Sequence, residues 1–224
     1  MNTFQRIYDR AVASKGEAEL LASLPEPASL GMLRSTPDAD YLAEMTKCVF
    51  RAGFIWKIVE HKWPNFEQAF ANFSPAAVAH FSDERLEDIA QNKAIIRHMT
   101  KIVATRANAA FVLDSAAVHG SFANFIADWP ADDVTGLLLY LKKHGSRLGG
   151  HTGQYFLRFM GKDTFIFSKD VVTVLIAEGV IDKEPTSKTG LAAVQLAFNT
   201  WQQETGLAYC QLSRIMAVSL GPQL

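Results

Sequence analysis

Apolar residues recur at three- and four-residue intervals along almost the whole chain, and that period admits helices and little else. Phe4, Ile7, Tyr8, Ala11 and Val12 set it, Glu17 to Leu24 continue it, and a run from Asn92 to about Leu113 carries Ile95, Ile96, Met99, Ile102, Val103 and Ala110 as its stripe. A helix is expected from Thr36-Pro37-Asp38, a capping hydroxyl with proline in the first turn, to about Arg51. Its partner runs from Phe54 to about Lys62, ahead of Pro64. Ser74-Pro75 and Ser82-Asp83-Glu84 start short helices, and two more cover 121–129 and 132–143. Only Thr164 to Phe167 alternates like a strand, too short to build a sheet. The fold class is therefore all-α. Pro25 to Gly31 reads as a linker. Residues 1–36 are expected to form an N-terminal helical extension and linker, and 37–224 one compact unit on which the N-terminal helix packs.

With 224 residues, 49% hydrophobic and 20% charged, the chain can bury a sizeable core. Its net charge of −1 gives no global attraction to nucleic acid or to an anionic membrane, so any such partner must meet a local patch. Cys48 and Cys210 lack CxxC spacing, which argues against a zinc finger, an iron–sulfur cluster or a disulfide scaffold. Reduced thiols suit a cytoplasmic protein. The opening MNTFQRIYDR is too polar for a signal peptide, and no apolar run reaches membrane-spanning length. A soluble monomer with no membrane partner is expected.

Two stretches carry chemistry. Phe50 to Lys57 reads FRAGFIWK, a helix end broken by Ala52-Gly53 and followed by a Phe and a Trp. The glycine permits a tight turn and a close ligand approach. The same residues also suit a plain helix–helix corner with Phe54, Ile55 and Trp56 in the core. The second stretch places a glycine-rich turn, Leu148 to Gly153, between a helix ending at Lys142-Lys143-His144 and one running from about Thr152 to Met160. Backbone amides at such a turn, with Gly149, Gly150 and Gly153, can hold a phosphate. No acid occurs between Val134 and Lys162, where Lys142, Lys143, Arg147, Arg158 and Lys162 lie. A second acid-free segment runs from Lys93 through Arg97, His98 and Lys101 to Arg106. Either the two form a one-sided anion-binding face, or they are helix faces paired with acids elsewhere.

From Tyr41 to about Val112 the chain resembles the 3-methyladenine DNA glycosylase I family. The matching pieces are Ala52-Gly53-Phe54-Ile55-Trp56, Asn65-Phe66, Ala69-Phe70, Phe73-Ser74-Pro75, Val78-Ala79, Ile95-Ile96-Arg97-His98, Lys101-Ile102 and Ala107-Asn108-Ala109. The glycine turn is similar to the hairpin of the wider helix-hairpin-helix glycosylases. The resemblance implies a helical bundle that binds damaged double-stranded DNA, flips a base, and cuts its N-glycosidic bond without a metal. It puts Gly53 and Phe54 at the loop that fills the gap in the duplex, and Trp56 and Phe54 in the base pocket. It puts Gly149, Gly150, Gly153, Lys142, Lys143 and Arg147 on the DNA backbone, with an alkali cation at the hairpin carbonyls and no zinc. The family's pocket glutamate is replaced by Cys48, and its zinc ligands have no counterparts.

Three residues could stand in for the missing carboxylate chemistry. Glu44, one helical turn before Cys48, either enters the pocket or is a surface acid. Asp170 either steadies an oxocarbenium-like sugar or favours a helix N-terminus. Lys169 is a Schiff-base nucleophile or an exposed cation. In the tail, Phe198, Trp201, Ile215 and Val218 read as core, while Ser213 and Arg214 either touch the site or join two helices. The functional expectation is a monofunctional glycosylase for an alkylated, 3-methyladenine-like base. The alternatives are a non-catalytic lesion- or DNA-binding relative and a helical interaction protein that uses the Phe-Trp corner for a protein partner.

Overall fold

A computed structural model describes residues 4–221, and among these no strand forms. The helices are α1 (Gln5–Lys15), α2 (Glu17–Ala22), α3 (Leu30–Ser35), α4 (Asp38–Arg51), α5 (Trp56–Ala69), α6 (Pro75–Ala79) and α7 (Asp83–Gln91). They are followed by α8 (Met99–His119), α9 (Phe122–Asp128), α10 (Val134–His144), α11 (His151–Phe159), α12 (Lys169–Ala177), α13 (Lys188–Thr205) and α14 (Tyr209–Val218). No single helix among the described residues is long and apolar enough to cross a membrane. Met1, Asn2 and Thr3, part of the polar opening segment, lie outside the described residues.

The contacts divide the chain into two compact units, and the boundary does not fall at residue 36 as the composition suggested. One unit takes in the chain up to Ala28, Pro130–Gly136 and the chain from Asp163 onward. The reason is packing: Phe4 lies against Trp201 at 5.6 Å between centroids, and Arg10 pairs with Glu178 at 2.7 Å. Trp201, Phe198 and Ile215 are buried there as expected, while Val218 is only partly so. Ser213 has a structural task, its hydroxyl accepting from the Ile166 N–H in the extended 163–167 segment that the alternation suggested as a strand.

The other unit holds Ser29–Trp129 and Leu137–Lys162. Its core is built around Tyr41, Met45, Val49 and Phe50 of α4, Phe66 of α5, Ile102 and Val112 of α8, and Phe156 of α11. Several helix ends differ from the sequence expectation for identifiable reasons. Thr36 does not cap α4; its hydroxyl donates to the Met32 carbonyl and closes α3, leaving Pro37 at the N-cap. Helix α5 begins two residues late, at Trp56, and runs through Pro64. Aromatic packing holds its second half, with Trp63 stacked on Phe66 and Phe73 and with Phe50 edge-on to Phe66. The long run expected from Asn92 begins only at Met99. Asn92 closes a local turn by accepting from the Ala94 N–H, and that turn keeps 92–98 out of the helix.

Acids and lysines finish the helices that frame the unit. The Asp38 carboxylate accepts from the Phe122 and Ala123 N–H groups at the start of α9, both at 3.0 Å. At the other end of α9, buried Lys162 donates to the Ala127 and Trp129 carbonyls. Lys162 thus serves the fold and is no part of an open basic face. The second basic segment is likewise reduced to Lys93 and Arg97 as exposed cations, because Lys101 is buried and Arg106 pairs with Asp83.

Candidate base pocket and DNA interface

Helix α4 ends at Arg51, and the backbone turns through Ala52 and Gly53, whose φ of +77° suits glycine. The corner is not the buried one that apolar content alone allowed. Phe54 is 38% exposed, Ile55 67% and Trp56 44%. Lys101, only 4% exposed, holds the turn from beneath: its ammonium donates to the Phe50 carbonyl at 3.2 Å and to the Ala52 carbonyl at 2.5 Å. It also sits 4.5 Å from the Phe54 ring centroid. Burial, with some help from nearby Arg147, holds its pKa below the ordinary lysine value. Lys101→Met should cost about 1–2 kcal/mol in urea unfolding, since two helix-end carbonyls lose a partner while a buried charge is relieved. It should also speed proteolytic cleavage in the 52–55 turn.

Beside this turn lies a cavity of about 190 Å³, lined by Cys48, Arg51, Ala52, Gly53, Trp56, His151, Thr152, Tyr155 and Phe159. For scale, an apolar cavity of roughly 150 Å³ accepts a benzene ring. Its walls are aromatic. Trp56 meets Tyr155 edge-on at 5.5 Å and Phe159 at 6.1 Å, and Tyr155 stacks on Phe159 at 5.7 Å. Tyr155 and Phe159 are one turn apart on α11, so one helix face supplies half of the wall.

The Arg51 guanidinium completes it, 5.1 Å from the Trp56 ring centroid and 4.8 Å from that of Phe159. It donates to Glu44 at 3.0 Å and, through Nε and Nη2, to Glu60. Lys47 pairs with Glu60 at 2.9 Å. Burial raises the Glu44 pKa against the opposing pull of Arg51. Burial also raises that of Glu60, but hydrogen bonds from Lys47 and Arg51 outweigh it and leave Glu60 low. Cys48 is 4% exposed and its thiol donates to Glu44 at 3.4 Å. Burial and the Glu44 charge push its pKa far up, so the thiol stays protonated and is no nucleophile.

The glycine-rich turn joins α10 to α11. Gly150 has a φ of +59°, and Gly153 is pressed so close to the Leu148 carbonyl that a Cβ would sit 2.3 Å from it. Arg147 takes a left-handed conformation at φ +62°. Lys142, Lys143 and Arg147 are exposed around the turn. Buried Asn108 of α8 pins it with both ends of its amide, donating to the Ser146 carbonyl at 3.1 Å and accepting from the Ser146 N–H at 2.7 Å.

The structure thus brings Cys48, Gly53 and Trp56 to one pocket, with Glu44 behind Cys48 and Arg51, and Phe54 turned over Lys101. Asp170 and Lys169 open α12 in the other unit, where Ser168 caps the helix. Arg51, Lys101, Asn108, Tyr155 and Phe159 were not singled out as site residues by sequence reasoning. Among the described residues, no three His, Cys, Asp or Glu side chains gather to hold a metal.

Residues 35–136, just under half of the chain, match the family model of methyladenine glycosylase. Among solved structures, the chain is similar to 3-methyladenine DNA glycosylase I from Staphylococcus aureus at 24% identity, covering 56% of this chain and 77% of that one with a TM-score of 0.50. It is also similar to the 8-oxoguanine glycosylase/lyase of Methanocaldococcus jannaschii, solved with DNA containing 8-oxoguanine, at 14% identity, 98% of both chains and a TM-score of 0.53. The 8-oxoguanine DNA glycosylase of Thermotoga maritima follows at 15% identity, 95% of both chains and 0.53. At these identities the likeness establishes a helical DNA glycosylase fold.

Proposed function

We propose, from the premise that this chain is a divergent 3-methyladenine DNA glycosylase I-like protein, that it is a base-excision DNA glycosylase. It flips a damaged base out of duplex DNA and hydrolyses the N-glycosidic bond, without lyase chemistry. The observation that carries the reading is the cavity walled by Trp56, Tyr155 and Phe159 at the foot of the Gly53 turn. A flipped base gains roughly 1–3 kcal/mol by stacking on such a wall. Exposed Ile55 and Phe54 suit the apolar wedge that occupies the vacated stack. The hairpin, with Lys142, Lys143 and Arg147, suits a grip on the phosphates.

Hydrolysis needs a carboxylate to steady the oxocarbenium-like sugar or to orient water. Glu44 is the candidate within the pocket's own unit, tested by Glu44→Gln, and Asp170, a candidate from the sequence alone, is tested by Asp170→Asn. An alkylated, 3-methyladenine-like base is the substrate that the family likeness suggests. Incubation with a panel of lesion duplexes, followed by identification of the released base, tests the function; intact DNA throughout would refute it.

One observation favours a second reading, a DNA-binding relative without chemistry. By the resemblance Cys48 takes the place of the family's pocket acid, and its thiol stays protonated and donates to Glu44. Both readings need phosphate contacts. Replacing Lys142, Lys143 and Arg147 together by Ala should weaken duplex binding several-fold and reduce the slope of log K against log salt by roughly 3. Fluorescence anisotropy across salt concentrations measures it. An unchanged slope would remove the hairpin from the interface. Turnover separates the two readings.

A further inference from the structure

A pocket for a cationic base needs electron-rich rings with open faces and an acceptor at its edge. This one already contains its own cation. The Arg51 guanidinium lies 5.1 Å from the Trp56 centroid and 4.8 Å from the Phe159 centroid, so the π attraction of both rings is spent in part on a side chain. Arg51 is also fixed. Glu44 holds one end and Glu60 the other, and Lys47 in turn holds Glu60. The two acids are thereby matched by two fixed cations, and the cluster offers no net negative charge to an incoming positive base. Cys48, which lines the cavity, presents a thiol that donates to Glu44 and adds no negative charge there. Three of the five Arg51 N–H groups serve the carboxylates and another lies against the Cys48 sulfur, which leaves one for an acceptor lodged against the wall that Arg51 lines.

We infer that the pocket selects a neutral base presenting a carbonyl oxygen, such as a deaminated or oxidised purine, over the fixed cation of an N-alkylated one, with Arg51 as the specificity-determining residue. This rests on the glycosylase reading for its biological setting and on the pocket geometry for its chemistry. A cationic base stacked on these rings would meet the guanidinium across a few ångströms. A carbonyl there receives a charge-assisted hydrogen bond, of the kind that is stronger than a neutral one.

The test titrates the protein's tryptophan fluorescence with two probes of opposite character, free hypoxanthine and the 3,9-dimethyladeninium cation, with Trp56→Phe identifying the pocket signal. Hypoxanthine is expected to bind at least tenfold more tightly, and Arg51→Gln should abolish that ratio. Arg51→Lys should keep the exclusion of the cation while weakening hypoxanthine, because charge is retained and the planar fork is lost. Equal or tighter binding of the cation by the wild-type protein would overturn the inference, as would no binding of either probe. The wild-type ratio decides the matter even if a variant misfolds.

Base release from duplexes carrying one inosine or one N-methylated purine then separates the two claims. Faster loss of hypoxanthine supports both. Faster loss of the methylated base supports a glycosylase and overturns the neutral-base inference. No release with the tenfold binding ratio intact overturns the glycosylase and leaves the inference standing.

Discussion

Trp56→Ala should lower base release by about 5- to 150-fold while leaving the protein folded. The range follows from the stacking energy of one base on an aromatic side chain, roughly 1–3 kcal/mol, converted at about 1.4 kcal/mol per tenfold. The ring is almost half exposed, and its protein contacts are two edge-on aromatic neighbours and the Arg51 guanidinium. Its removal should therefore cost the fold only about 1 kcal/mol. Trp56→Phe should recover most of the lost rate, because a smaller π-face still stacks. Single-turnover release at saturating enzyme, with circular dichroism to confirm folding, measures both. Unchanged release from Trp56→Ala would move the base out of this cavity.

The largest effect on stability is expected from Asn108→Ala, a loss of about 3 kcal/mol. Asn108 is fully buried and meets the N–H and the carbonyl of Ser146 with one side chain, 38 residues away in sequence. Its loss leaves two polar groups of the backbone without a partner, at about 1–3 kcal/mol each when buried, and opens a small void. For a chain of this size the melting midpoint should fall by roughly 6–12 °C. The same change loosens the turn before α11. At a temperature where the variant remains folded, duplex affinity should therefore drop although no DNA contact was removed. Calorimetry and anisotropy read the two effects, and a variant as stable as the wild type would contradict the role given to Asn108.

The helices were legible because a 3.6-residue period is local, and so were the Gly53 turn and the glycine-rich hairpin, where the chain's own geometry demands glycine. The helix ends were less so. Thr36 had two helices within reach and closed the earlier one, and Pro64 was tolerated because aromatic packing secures α5 beyond it. The supports of the site escaped because they act across the sequence: Lys101 reaches a carbonyl 49 residues away and Asn108 one 38 away. Tyr155 and Phe159 carried a readable signal, an i, i+4 aromatic pair directly after the glycine turn. Arg51 carried none. Only the folded corner places its guanidinium against Trp56 and Phe159.

Base excision as proposed requires that this pocket receive a flipped base and that the protein cut it from its sugar. The most direct measurement follows a duplex with one damaged purine under single-turnover conditions, with the free base identified by mass and the strand examined before and after hot alkali. A released base, a strand that breaks only after alkali, and a rate that falls with Trp56→Ala are expected. A folded wild-type protein that binds the duplex and releases no base from any lesion would contradict it.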